Sequence, residues 1–262
     1  MNSNRVKEIK KEDKKAFKSF IIIMIISAIA GGILGGMSIY FKDSLSENLT
    51  DFIMNILEAI TPFASVVLSL LVIITSSIVY KKLTKELKIW NESDEEDIID
   101  KIEEKLSYIL LLSSVNLIMG FFFFGVGFAL PSDYLDLNGD IVKRILFFVG
   151  FVLCVLSSIL IQKKFVNLEK EINPMLKGSV YDTKFSEKWI DSCDEAIKMN
   201  IYKSSYKAYK AVTNTCLILW FVCVLGYNVW DFGIMPLFIV TTIWLVQTVA
   251  YCLESIKNSK KR

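Results

Sequence analysis

Histidine is absent from all 262 residues. The side chain most often used as a general base near neutral pH, and a frequent metal ligand, is therefore missing. Missing too are a phosphate-binding glycine loop, a zincin helix, a Cys-x-x-Cys pair, an intramembrane protease signature and paired carboxylates inside any apolar run. An enzyme is not expected, and no catalytic, cofactor-binding or metal-ligating residue is assigned. Net charge is also small, at +2, which argues against a polyanionic partner, so no nucleic acid is expected. Proline and glycine number only 4 and 12, and neither occurs in residues 5–30, 63–119, 151–173 or 181–225. Helices can run on through those stretches because nothing breaks them. Of the five cysteines, Cys154, Cys216, Cys223 and Cys252 lie in or beside apolar runs and Cys193 lies in a charged segment. None falls in a connection placed outside the cell, so no structural disulfide is expected.

Apolar residues are what the chain has in excess, at 53% with a mean hydropathy of +0.45. Charged residues come in blocks that alternate with runs nearly free of charge, unlike the fine mixing of a soluble amphipathic helix. A helix needs roughly 20 apolar residues to cross a hydrocarbon layer of about 30 Å. Six runs qualify: about 19–41, 60–80, 108–130, 145–162, 211–230 and 233–252. Only a helix satisfies its backbone within one such segment, and no run alternates like an outer-membrane strand. The expected fold is all-α: one membrane domain over residues 1–262, a polytopic bundle of six transmembrane helices arranged as three hairpins with cytosolic helical extensions. The first run is read as an uncleaved anchor, since it continues through Gly31 to Phe41, beyond the 7–15 residues or so of a signal-peptide core.

Lysine and arginine set the orientation. With the N-terminus inside, residues 1–18, 81–107, 163–210 and 253–262 are cytosolic and hold 27 of the 30 basic residues. Only Lys42, Lys143 and Arg144 fall outside, beside Asp43, Glu47, Asp51, Asp133, Asp136, Asp140 and Asp231. Basic residues resist translocation, so both termini are expected in the cytoplasm and the protein in the cell membrane. The external connections are short. The soluble mass is cytosolic, in helical connections over 81–107 and 163–210. In the first, Lys81–Trp90 extends span two, Asn91-Glu92-Ser93 turns, and Ser93 with Glu96 fits a capping box. Ile98, Ile99, Ile102 and Leu106 then form an apolar stripe. In the second, Lys163–Asn173 extends span four, Pro174 and Gly178 punctuate, and 184–210 is expected to run straight into span five.

Four sets of residues carry candidate roles. Gly31, Gly32, Gly35 and Gly36 make overlapping GxxxG patterns for close helix packing, either within the chain, with Gly120, Gly125 and Gly127 as the facing surface, or in a homodimer. Glu58, one turn before Pro62, is either an outer-interface carboxylate or a buried one on an ion pathway. Asn116, Asn214 and Gln247 read as interhelical hydrogen-bonding groups. In the cytosol, Asp191, Asp194 and Glu195 form an acidic cluster, while Tyr202 with Tyr206 and Lys203 with Lys207 form neighbouring stripes. Those stripes either anchor span five among the headgroups of the lipid bilayer or dock a cytosolic partner.

The Lys-rich start before Ile21–Met37, the stretch Lys177–Asp182 and the segment Trp189–Lys210 together resemble a bacterial integral membrane family, domain-of-unknown-function family 3169, found mainly in low-GC Gram-positive bacteria. The resemblance covers nearly the whole chain and implies a plasma-membrane protein with no assigned activity. Three functions compete. The first is a non-enzymatic membrane protein whose cytosolic helices serve as a partner-docking or regulatory, immunity-type surface. The second is the permease subunit of an ABC-type exporter, with an ATPase subunit as partner. The third is a small stand-alone carrier using Glu58. The first is favoured, because a permease would show a short coupling helix and a carrier would show broken helices with midplane charges.

Overall fold

The computed structural model describes residues 42–93, 96–129, 139–230 and 233–259, with scattered positions between Phe17 and Gly36. The helices are α1 (Lys42–Ser93), α2 (Glu96–Ala129), α3 (Ile141–Ile172), α4 (Phe185–Ser192), α5 (Glu195–Trp230) and α6 (Met235–Ser259). No strand occurs among the described residues. Five of these helices, all but α4, are long and apolar enough to cross a membrane, as expected of a multi-pass membrane protein. The anticipated first span falls mostly outside the described residues, and its described positions 21, 22, 24–26, 28, 29, 31–33 and 36 are helical.

One anticipated loop is helix instead. Residues 42–59 were expected to hold an external connection, yet α1 begins at Lys42 and runs unbroken for 52 residues, about 78 Å at ~1.5 Å per residue. Neither glycine nor proline occurs between Lys42 and Ile60, so nothing stops the helix there. Pro62 lies inside α1 and is fully buried. Its missing N–H takes away the donor that the Glu58 carbonyl would otherwise receive. Next to it, the Thr61 hydroxyl donates to the Leu57 carbonyl at 2.6 Å.

The chain divides into two compact units, residues 52–203 and residues 1–51 with 204–262. In the first, α2 and α3 pack tightly because small residues let them approach. Ser113 Oγ donates to the Ser158 carbonyl at 3.2 Å, and Ser158 Oγ returns a bond to the Ser113 carbonyl at 3.3 Å. Asn116 Nδ2 donates to Ser158 Oγ at 3.1 Å, and a Cβ placed on Gly120 would meet Cys154 Sγ at 2.3 Å. Phe124 stacks on Phe151 at 3.9 Å between ring centres. On α1, Thr61, Ser65, Ser69 and Ser76 are all buried. Gly150 of α3 meets this face, where an added Cβ would lie 2.7 Å from Val66 Cγ2 and 3.1 Å from the Val66 nitrogen. In lipid, such close packing of small residues replaces the hydrophobic effect as the source of helix association.

The second unit holds the α5–α6 hairpin. Gly233 turns it with φ +67, a left-handed conformation that favours glycine. Cys216, Cys223 and Val240 form its buried cluster, with Trp220 and Trp244 packed against it. That packing accounts for two tryptophans set deeper than an interfacial belt. Tyr209 stacks on Tyr251 at 4.7 Å, and Gln247 Nε2 donates to the Tyr209 carbonyl at 2.9 Å.

Candidate functional site

The largest apolar cluster of unit 52–203 runs from the apolar runs into the Lys-rich ends of α1, α2 and α3. Leu83, Ile102, Leu106, Phe165 and Leu168 are its most enclosed members. These and Leu87 fall in the anticipated water-side connections, while Val72, Ile109 and Ile161 lie within the runs. The Ile98–Ile102–Leu106 stripe turns inward as expected, and Trp90 closes over it. Lys105 Nζ reaches from α2 to both carboxylate oxygens of Glu86 on α1, at 2.9 Å each. Tyr80 meets Phe165 edge-on at 5.8 Å. We call this assembly the head.

The segment after α3 is folded onto itself by local bonds. Asn173 ends α3, and its Oδ1 accepts from the Met175 nitrogen at 3.2 Å. Gly178 has φ +116, and its carbonyl accepts from Lys170 Nζ. Asp182 accepts from the Lys184 nitrogen at 2.9 Å and pairs with Lys188. Those contacts, the Lys188 hydrogen bond foremost, hold its carboxyl below the usual carboxylate range. Lys177 N donates to Ser192 Oγ at 2.9 Å, tying the loop to the end of α4.

The expected unbroken helix over 184–210 is corrected here. The chain makes α4, stops at Cys193 and restarts at Glu195. Asp194 causes the restart: its Oδ1 accepts from the Ile197 nitrogen at 2.7 Å, as an N-cap does. The acidic cluster is thereby divided. Asp194 serves the helix end, Glu195 stands 96% exposed with Lys198 3.9 Å away, and Asp191 is exposed on α4. Cys193 is buried, donates to the Trp189 carbonyl at 3.2 Å, and has its thiol pushed up by burial and then by Asp194. Phe185 and Trp189 lie 5.4 Å apart on α4, a helix with no buried residue.

Further along α5, Tyr202, Lys203, Tyr206 and Lys207 are all exposed, and Lys210 lies over the Tyr206 ring at 5.0 Å. Asn116 and Gln247 make the interhelical bonds described above, Asn214 is exposed, and Glu58 is exposed on α1. A Cβ added at Gly31, Gly32 or Gly36 would meet nothing within 4 Å, and Gly35 lies outside the described residues. Gly120 packs against Cys154 of α3. All five cysteines are free.

The sequence profile described as "Protein of unknown function (DUF3169)" matches residues 14–255. The chain belongs to this family. No curated protein and no solved structure matches it. The DUF3169 match spans the head, the Lys177–Asp182 loop and α4 alike.

The buried serines of α1 escaped the sequence reading. Their signal was there: small residues at Thr61, Ser65 and Ser69 repeat every fourth position, the same pattern that drew attention to the glycines of the first run.

Within the head, Glu169 is half-buried, and it lies on α3 two turns beyond the anticipated end of its span at Gln162. Burial pushes its carboxyl up to about 7, and the Glu103 charge acts in the same direction. A raised carboxylate destabilises the fold as it ionises. Head stability should therefore fall as pH rises from the ordinary value of 4.5 through about 7. Glu169→Gln is expected to flatten that dependence and to raise stability most at pH values above it. Melting of wild type and variant across that interval checks the sign.

Proposed function

We propose that this DUF3169 protein is a non-enzymatic, six-span protein of the bacterial cell membrane that presents its head to a cytosolic partner. The first run supplies the sixth crossing, and both termini lie inside with the lysine blocks. One observation supports the reading: Leu83, Leu87, Ile102, Leu106, Phe165 and Leu168, most of the buried apolar cluster of unit 52–203, lie beyond the lipid-length segments. Crossing a bilayer needs no such cluster. A water-side core fixes three helix ends relative to one another, and fixed helix ends display a surface of defined shape. The same unit holds α4, which has no buried residue, and the exposed Asp191, Glu195, Tyr202 and Lys203. A regulatory or immunity-type component works by offering such a surface.

A photo-crosslinking residue at Tyr202 in native membranes should give one discrete protein adduct, lost in Lys203→Glu/Lys207→Glu. Adducts to lipid alone would reject docking in favour of headgroup anchoring. A stoichiometric nucleotide-binding ATPase as the adduct would make the protein an exporter permease. Proton-coupled uptake abolished by Glu58→Gln would make it a carrier. Orientation has its own check: a tag at Asp194 should be shielded in intact cells, and one at Asp136 should be reachable.

A further inference from the structure

A cavity of about 440 Å³ lies between α1 and α3, where the apolar runs give way to the lysine blocks. That is within the roughly 300–1,000 Å³ of small-ligand sites. Its walls change character along the bilayer normal. Leu156 and Leu160 form the lower wall, each 53% exposed and so open to acyl chains. Lys81 and Lys164 form the upper rim, where Lys164 Nζ stands 5.8 Å from the Tyr80 ring centre. No carboxylate lines the cavity, and among the described residues neither ammonium is in an ion pair.

Between wall and rim lies Ser76, only 2% exposed, whose hydroxyl has no hydrogen-bond partner. Ser69, two turns earlier on α1, is likewise unpaired, but it does not line the cavity. Thr75 and Thr84 on the same helix bond back to the carbonyls of Leu71 and Tyr80. A buried hydroxyl left unpaired at this depth is costly, because lipid supplies no substitute. Acyl-facing leucines, one unpaired hydroxyl and two cations roughly 7.5 Å further along the helix follow the order of groups in a phospholipid. They match its chain, its ester oxygens and its phosphate.

We propose that this cavity binds one anionic phospholipid from the leaflet at the basic side, with its phosphate on Lys81 and Lys164 and a glycerol-ester oxygen on the Ser76 hydroxyl. A soluble phosphate compound would leave the leucine wall unused, and a zwitterionic lipid would bring a cation to a rim that already has two. The site shares Tyr80, Ile161 and Phe165 with the head but uses none of Asp191, Glu195, Tyr202 and Lys203, and it stands whether or not a protein partner exists.

Native mass spectrometry of the full chain in neutral detergent tests it, titrated with phosphatidylglycerol or with phosphatidylcholine of the same chains. One phosphatidylglycerol should be retained in preference. Each lysine near a surface contributes roughly fivefold, so Lys81→Gln/Lys164→Gln should weaken retention about thirtyfold. Ser76→Ala should weaken it severalfold, and Leu156→Trp should block it by filling the wall. Lys203→Gln should change nothing. All these lysines are exposed, and unchanged melting of the lipid-free variants separates binding from folding. Equal retention of the two lipids would overturn the proposal. So would a double variant that binds like wild type, or displacement by inorganic phosphate alone.

Discussion

Gly150→Leu is expected to cost at least about 3 kcal/mol, the upper end of ordinary overpacking. A Cβ at this position already lies 2.7 Å from Val66 Cγ2, 3.1 Å from the Val66 nitrogen and 3.3 Å from Ser65 Cβ. The Val66 side chain can rotate away, but the backbone nitrogen can move only if α1 moves with it. Three more carbons beyond Cβ leave α1 and α3 no option but to separate. Separation would break the contact of Gly150 with the Ser65–Val66 face along with the cavity above it. Gly125 offers the control, since an added Cβ there meets nothing within 4 Å. Gly125→Leu should therefore melt within about 0.5 kcal/mol of wild type. Reversible unfolding in bicelles reads both. Equal stability of the two variants would mean that α1 and α3 do not touch as described.

Phe165→Ala is the second large effect, at about 3–5 kcal/mol. The ring is 1% exposed at the centre of the head, against Tyr80 and the leucines of all three helices. On the proposed placement of the head in water, burial there gains the full hydrophobic term, whereas in lipid the tails would solvate the ring equally well. Leu156→Ala, on the lipid-facing wall, should cost about 0.5 kcal/mol or less, although it deletes a side chain of similar character. Hydrogen exchange locates the difference. In Phe165→Ala the amides around Ile102 and Leu106 should lose protection, while those of Ser113 to Gly120 keep theirs. Loss spread evenly along α2 would mean that head and span unfold as one.

The features legible in the sequence were those set by local composition. Five of the six anticipated runs appear as long apolar helices, because hydropathy over some 20 residues is a property of the segment alone. The inward stripe of Ile98, Ile102 and Leu106 was legible for the same reason, since a water-side helix must be amphipathic to be buried. Inside lipid that signal disappears. Both faces of α1 are apolar or small, so hydropathy gave no reason to bury Ser65 and Ser69, which are enclosed, rather than Leu70 and Leu71, which are not. Only the fourfold spacing of small side chains marked the contact. Besides Asn91–Ser93, expected as a turn but helical at the end of α1, two boundaries were missed because local and longer-range preferences differ. Lys42–Asp51 carries enough charge to look like a loop but nothing that ends a helix. Asp194 looked like part of an acidic patch, when its position just before Glu195 made it a cap. Of the candidate site residues, Asn116 and Gln247 hold helices together, while Asp191, Asp194 and Glu195, read as one cluster, are divided between α4, the cap and α5.

From Pro62 to the end of α1 at Ser93 the helix has no further glycine or proline, a strut of about 48 Å. It passes from the apolar run into the head without a joint. Geometry then imposes a mechanical gain: a tilt of about 10° at the proline displaces the far tip sideways by about 8 Å, some two side-chain widths. Since Leu83 and Leu87 lock that tip to its neighbours, the displacement is shared by every helix end in the head. Changes in bilayer thickness, which act on tilt, would be delivered to the head as a rigid sideways stroke.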